Sequence, residues 1–235
     1  MPANEWWGIL EAYGKAVWPA QAVFFFAGLA LTIFLFWSRK AMANLFMKLY
    51  LAVSFGWLSV VFFLTIGKGL AGSTFFGVLF MAMTILFVID MLRGTMVFRL
   101  PEVAWQKGFT LGLAVIVWCY PLFSMALGRP LEKALVPGTF PCPTTALALM
   151  LLSTSLPRVD KILYILLLFW AIPFAPFIQI PRYGVYEDAI MFGMGIYALV
   201  MWVKSRKGKS LLPLSGSATA DPYPASAKGL RMKLS

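Results

Sequence analysis

The stretch Leu166–Pro181, LLLFWAIPFAPFIQIP, decides the fold. It is almost wholly apolar and carries no charge, and lipid offers no hydrogen-bond partners to an open backbone, so such a run is helical in a membrane. Pro173, Pro176 and Pro181 each remove a backbone hydrogen bond, which predicts a kinked or broken helix. Two interpretations stay open: a broken helix that lines a substrate cavity, or a plain kink packed against its neighbours.

The composition of the whole chain also points to lipid. Of 235 residues, 61% are hydrophobic and 12% charged, against roughly 45–50% and about 25% in soluble proteins. A bilayer core near 30 Å needs about 20 apolar residues as helix, and the fifth of the seven apolar runs is short enough to be re-entrant. We predict an all-α, polytopic transmembrane bundle of seven spans: Val17–Trp37, Leu49–Ile66, Thr74–Leu92, Phe109–Leu127, Pro143–Leu156, Ile162–Ile180 and Ala189–Val203.

The distribution of basic residues predicts the orientation, because cytoplasmic loops carry an excess of Lys and Arg. With seven spans and the N-terminus outside, 12 basic residues lie inside and five outside. The inner set is Arg39, Lys40, Lys48, Arg93, Arg99, Lys107, Arg158, Lys161, Lys204, Arg206, Lys207 and Lys209, and the outer set is Lys15, Lys68, Arg129, Lys133 and Arg182. A fifth run that did not cross would reverse this bias.

Three regions are predicted from these patterns. Residues 1–16 form an interfacial amphipathic segment, with Trp6, Leu10 and Tyr13 on one stripe. Residues 17–203 form the seven-helix transmembrane domain, and residues 204–235 form a basic, largely disordered cytoplasmic tail. A basic patch at the cytoplasmic membrane surface accounts for the net charge of +11, so the expected partner is the lipid bilayer and not nucleic acid.

The chain has no histidine and two cysteines, Cys119 and Cys142. This excludes His-dependent triads and imidazole-bound zinc or haem. The cysteines are predicted at different depths, which disfavours a disulfide. With no nucleophile and base in a recognisable arrangement, we predict a protein that is not an enzyme and has no cofactor, no metal site and no catalytic residue.

The densest motif is FPCPTT, Phe140–Thr145. A proline suits the first turn of a helix, so Pro143 predicts a rigid helix start that holds Cys142 in a fixed pose. Thr144 and Thr145 can bond back to carbonyls or to a neighbouring helix. The motif is either a device that starts a short helix or the lip of a binding site.

Few ionisable or long polar residues fall within the spans, and such residues are usually functional. Asp90 is expected to pair with Arg93 on its own helix or to form a site. Glu187 and Asp188 are expected to cap the last helix or to attract a cation at the outer mouth. The remaining candidate contacts are the amides of Gln21 and Gln179.

Several motifs together resemble one family. They are Ala16–Gln21 (AVWPAQ), Tyr120-Pro121, Gly128-Arg129-Pro130, Phe140–Thr145 and Tyr186-Glu187-Asp188, in order along the chain. The chain resembles a bacterial integral-membrane family of unknown function, domain-of-unknown-function family 6064, in which a histidine often occupies the position of Arg129. The resemblance implies a multi-pass protein of the bacterial cytoplasmic (inner) membrane and brings no activity.

Two function classes remain. An accessory or scaffolding subunit of a membrane complex needs only apolar helices, interfacial tryptophans and a tail that grips other membrane-protein subunits. A transporter or channel for a small neutral solute or ion would use the broken helix, the Phe140–Thr145 lip and the carboxylates of Glu187 and Asp188. The sequence slightly favours the accessory subunit.

Overall fold

The computed structural model describes residues 1–38 and 40–206, and all regular structure in that part of the chain is helical. Five of its helical stretches are long and apolar enough to cross a bilayer, and a sixth is made of two helices bent by 53°. The helices are α1 (Ala3–Ser38), α2 (Ala41–Trp57), α3 (Ser73–Arg93), α4 (Ala104–Trp118), α5 (Tyr120–Ala126), α6 (Pro141–Ser153), α7 (Lys161–Phe174), α8 (Ile180–Tyr183) and α9 (Ala189–Arg206).

Helix α1 is continuous for 36 residues, about 54 Å at the usual helical rise. It crosses the predicted boundary between residues 16 and 17 without a break. The predicted stripe packs on the bundle: Leu10 and Tyr13 are buried, and the Tyr13 hydroxyl donates to the carbonyl oxygen of Thr139 at 2.7 Å. The Trp7 indole N–H likewise donates to the carbonyl of Tyr183 at 2.9 Å.

The short helix α6 lies at the centre of the bundle. Every residue from Pro141 to Ser153 is buried, and α6 contacts α2, α4, α7 and α9. Its start is fixed by Thr144, whose hydroxyl donates to the Phe140 carbonyl and accepts from the backbone N–H of Gly138. Gly138 has a φ of +95°, and a Cβ there would collide with the Tyr50 hydroxyl, so this turn needs glycine.

Of the two predicted outcomes, a kinked or a broken helix, the break is not found: Lys161–Tyr183 is one continuous helical stretch that contains a π-helical turn. After Pro173 the α-helical pattern ends at Phe174, and Ala175–Gln179 forms a π-helical turn before α8. Pro176 and Pro181 remove further backbone donors, which explains the wider turn. A left-handed Gly184, with a φ of +68°, ends α8, and a 3₁₀ turn over Tyr186–Asp188 leads into α9.

The predicted tail is only partly described. Residues 204–206 extend α9 beyond the predicted end of the last span at Val203. Residues 207–235, and with them most of the predicted basic tail, lie outside the described residues.

Candidate functional site

A cavity of about 200 Å³ opens between α1, the π-helical stretch Leu58–Thr65 that continues α2, the starts of α3 and α6, and the α7–α8 helix with its π-helical turn. It lies at the end of the bundle that the sequence predicts to be outside. Its lining is Trp6, Leu10, Phe62, Phe63, Leu70, Ala71, Phe76, Leu135, Phe140, Pro141, Cys142, Trp170, Phe174, Ile178, Gln179, Arg182, Tyr183 and Asp188.

Aromatic residues are a large share of the cavity wall: eight of the 18 lining residues carry aromatic rings. Trp170 stacks on Phe174 with ring centroids 4.5 Å apart, and Phe76 meets Trp170 edge to face at 5.1 Å. Such interlocked rings form a rigid wall, because edge-to-face and offset-stacked pairs are the preferred aromatic geometries. The helix that contains the π-helical turn contributes lining residues between 170 and 183 to this wall.

Three predicted site residues, Cys142, Gln179 and Asp188, meet at the cavity. The Gln179 amide donates to the Cys142 thiol at 3.5 Å, and Asp188 Oδ1 accepts from the Tyr120 hydroxyl at 2.7 Å. Asp188 Oδ2 and the indole N–H of Trp170 make no hydrogen bond of good geometry among the described residues, although the Cys142 thiol lies close enough to interact with both side chains. Both residues are buried, and both line the cavity, so the site presents one acceptor and one donor without a well-formed hydrogen bond.

Glu187 lies beside the cavity in a closed ion pair. The Arg129 guanidinium approaches it twice, with Nε 2.8 Å from Oε1 and Nη2 3.2 Å from Oε2. The Ser124 hydroxyl also donates to Oε1, at 3.0 Å. Neither carboxylate makes a side-chain capping bond among the described residues, because Asp188 accepts from Tyr120, and Glu187 accepts from Ser124 and Arg129. Both lie in the 3₁₀ turn that leads into α9, at the helix start where the sequence places them.

The predicted pair between Asp90 and Arg93 is also wrong. The Lys48 ammonium lies 2.6 Å from Asp90 Oδ2, and the backbone N–H of Met96 donates to Oδ1 at 3.1 Å. Arg93 is exposed. Asp90 and Lys48 are buried at the other end of the bundle, where the charge pair joins α2 to α3, because a buried carboxylate needs a close partner and Arg93 points to the exterior.

The other predicted site residues do not line the cavity. Pro143, Thr144 and Thr145 are buried inside α6, and Thr144 holds the helix start. Gln21 is buried in α1, and its Nε2 has no partner in residues 1–38 and 40–206. The Phe140–Thr145 motif therefore starts the helix and also contributes Phe140, Pro141 and Cys142 to the cavity.

Sequence reasoning missed three residues of this site as functional candidates: Trp170, Tyr120 and Arg129. Tyr120 and Arg129 lie in the Tyr-Pro and Gly-Arg-Pro motifs, which were a usable signal. Trp170 carried no local signal, because an indole in an apolar helix is ordinary in membrane proteins.

The described residues thus form an all-helical protein with five or six helices that could cross a membrane and a fully buried short helix among them. The chain belongs to a family of unknown function, DUF6064, whose profile matches residues 3–211. This confirms the resemblance seen in the sequence motifs. No curated protein matches the chain, and no solved structure matches it.

Proposed function

We propose that the chain is a multi-pass protein of the bacterial cytoplasmic membrane that binds a small solute from the outer side. The membrane location rests on the apolar helices and on large apolar side chains at the exterior. Trp37, Leu92 and Phe177 are 88%, 86% and 76% exposed. An exterior with many large exposed apolar side chains suits lipid and not water. The orientation rests on the excess of basic residues in the predicted inner loops.

We propose seven crossings, with α6 as the short fifth. Its first turn shares the outer cavity with Asp188, at the start of α9. Its last residue, Ser153, is 3.1 Å from the Tyr164 hydroxyl, which donates to the carbonyl of Ala198, farther along α9. A helix that runs beside α9 in this way supports a crossing, whereas a re-entrant segment would return to its starting side.

The observation that carries the solute-binding proposal is the outer cavity with its unpaired buried groups. Buried polar atoms without partners are uncommon in folded proteins, and each calls for an explanation. Here Asp188 Oδ2 and the Trp170 N–H line one cavity, so a bound solute would supply the missing partners. This favours the transporter or channel class over the accessory subunit.

A second cavity supports a transport role. It has a volume of about 150 Å³ and lies between α4, the end of α6 and α9, with Ser153, Thr154 and Lys204 in its lining. The two cavities therefore flank opposite ends of α6, and the π-helical turn adjoins the outer one. π-Helical turns inside α-helices are frequent at functional sites.

The accessory-subunit role remains a prediction. It relied on residues 210–235 as a segment that grips a partner, and these lie outside the described residues. Gentle detergent extraction followed by mass spectrometry separates the two roles. A stoichiometric membrane partner that is lost on deletion of residues 210–235 would support the accessory subunit.

Cavity occupancy is testable through the thiol of Cys142. In the full chain carrying Cys119→Ser, Cys142 is the only cysteine, and a small methanethiosulfonate reagent should reach it through the cavity. Ala71→Trp, at the cavity lining, should slow labelling at least about tenfold. Ala41→Trp, at an exposed site remote from the cavity, is the control. Equal labelling rates in both variants would argue against an open outer cavity.

A further inference from the structure

The charge balance around the outer cavity is uneven. Two nitrogens of the Arg129 guanidinium contact the Glu187 carboxylate, so this ion pair has no net charge. Asp188 has no basic group within 4 Å in residues 1–38 and 40–206, and its hydrogen bond comes from the neutral Tyr120 hydroxyl. A buried carboxylate without a cation is costly. The cavity therefore carries a surplus of negative charge at its polar end.

The aromatic walls also favour a positively charged ligand. The face of an aromatic ring is electrostatically negative and attracts ammonium groups within about 6 Å of its centroid. Phe63, Phe76, Trp170 and Phe174 are mutually packed around the cavity that Asp188 also lines. Aromatic rings combined with a carboxylate are the arrangement by which proteins bind substituted ammonium ions.

The indole N–H of Trp170 adds a directional requirement. It makes no hydrogen bond of good geometry among the described residues, its near neighbour being the weakly accepting Cys142 thiol, and Trp170 is only 3% exposed. A ligand oxygen near the cationic group would accept this hydrogen bond. The amide of Gln179 and the thiol of Cys142 lie at the same end of the cavity and already bind each other.

The size of the cavity limits the ligand to a small molecule. Its volume of about 200 Å³ slightly exceeds the roughly 150 Å³ of an engineered apolar cavity that binds benzene. It falls below the roughly 300–1,000 Å³ of sites for drug-sized ligands. The one basic residue in the lining, Arg182, is exposed and lies near the Tyr183 ring at 5.7 Å, so its charge is screened by water at the mouth.

We propose that the outer cavity binds a small organic cation, a substituted ammonium that also carries a hydrogen-bond acceptor, with the charge at Asp188 and the acceptor at Trp170. This inference rests on the proposed solute-binding function and specifies its ligand class. It predicts selection by charge at the aromatic and carboxylate end, and selection by hydrogen bonding at the indole.

Matched probes test the charge. The full chain carrying Cys119→Ser is purified in nanodiscs, and protection of Cys142 from the methanethiosulfonate reagent is measured against probe concentration. The probes are choline, the uncharged alcohol in which a tert-butyl group replaces trimethylammonium, and the tert-butylacetate anion. We expect choline to protect at a concentration at least about tenfold lower than the other two.

Two variants test the residues. Asp188→Asn should weaken protection by choline about tenfold or more and leave the uncharged alcohol unchanged, with exposed Glu102→Gln as the charge-matched control. Trp170→Phe keeps an aromatic ring but removes the N–H donor. Protection of Cys142 by choline should therefore weaken several-fold, whereas protection by tetramethylammonium, which has no hydrogen-bond acceptor, should not change.

The outcomes separate the two proposals. If the alcohol or the anion protects as well as choline, or if Asp188→Asn has no effect, the cavity binds solutes but the cation assignment is wrong. If none of the probes protects Cys142 and Ala71→Trp labels like the wild type, both the assignment and the solute-binding function fail.

Discussion

Two buried carboxylates lie at opposite ends of the bundle and differ in their partners. Asp90, 3% exposed, has the Lys48 ammonium at 2.6 Å and a backbone N–H. Asp188, fully buried, has the Tyr120 hydroxyl and the nearby Cys142 thiol, both neutral, and no cation within 4 Å among the described residues. The first pair is complete and joins two helices. The second is incomplete beside a cavity, so burial alone does not distinguish a structural carboxylate from a binding one.

The largest expected effect is at the complete pair. Lys48→Met leaves the Asp90 charge buried without its cation, and we expect the free energy of unfolding to fall by about 3–5 kcal/mol. Thermal and denaturant unfolding of the chain in micelles, followed by circular dichroism, measures this. The double variant Lys48→Met with Asp90→Leu should recover most of the loss. If Lys48→Met alone is as stable as the wild type, the Lys48–Asp90 pair does not stabilise the fold.

The next effect is at Tyr120, the donor to Asp188 Oδ1. Tyr120→Phe removes a hydrogen bond to a charged group, so unfolding free energy should fall by about 1.5–3 kcal/mol. Tyr186→Phe, at a residue 63% exposed, is the matched control and should change little in the same unfolding assay. Equal losses in both variants would contradict a specific role for the Tyr120 hydroxyl.

The change in unfolding stability caused by Asp188→Asn should be opposite in sign to the change caused by Asp90→Asn. The amide oxygen can still accept from Tyr120, while an uncompensated buried charge is removed. We therefore expect unchanged stability or a gain of about 1 kcal/mol, whereas Asp90→Asn should destabilise the chain. Both variants are compared by the midpoint of unfolding at neutral pH. A comparable loss in both would erase the distinction between the two carboxylates.

The smallest effect is expected at the exposed pairs near the outer end. Glu11 lies 3.0 Å from Lys133 and also contacts Lys15, and these side chains reach water. Exposed pairs contribute about 0–1 kcal/mol, so Lys133→Gln should change unfolding free energy by less than about 1 kcal/mol. Added salt should reduce this small difference further, because charges exposed to water are screened. A loss as large as that of Lys48→Met would mean that charge pairs at both ends are equally structural.

Local patterns predicted the helices well. Run length and apolarity predicted the helical class, and the spacing of Pro173 and Pro176 predicted a distortion, which is present as a π-helical turn within a continuous helix. Pro143 and Thr144 marked the start of the short helix within two residues. These features depend on neighbours along the chain, which the sequence displays directly.

Partners across the fold could not be predicted in this way. Asp90 has Arg93 at helical spacing, yet its partner is Lys48 on the preceding helix. Likewise Trp170 and Asp188 belong to different helical segments, and they share a cavity only because α7 and α9 both pack beside α6. A single sequence does not contain the helix order in space, so the aromatic wall was invisible to it.

The contacts of α1 have a consequence for biosynthesis. Trp7 bonds to Tyr183 and Tyr13 bonds to Thr139, 176 and 126 residues farther along the chain. At about 5–20 residues per second, a ribosome reaches Tyr183 roughly ten to thirty seconds after it has added Trp7 to the chain. The N-terminal part of α1 is thus among the first segments to leave the ribosome and one of the last to dock. During that interval we expect its tryptophans to lie in the membrane interface. A chain that terminates before Tyr183 would therefore contain membrane helices but not the complete outer cavity.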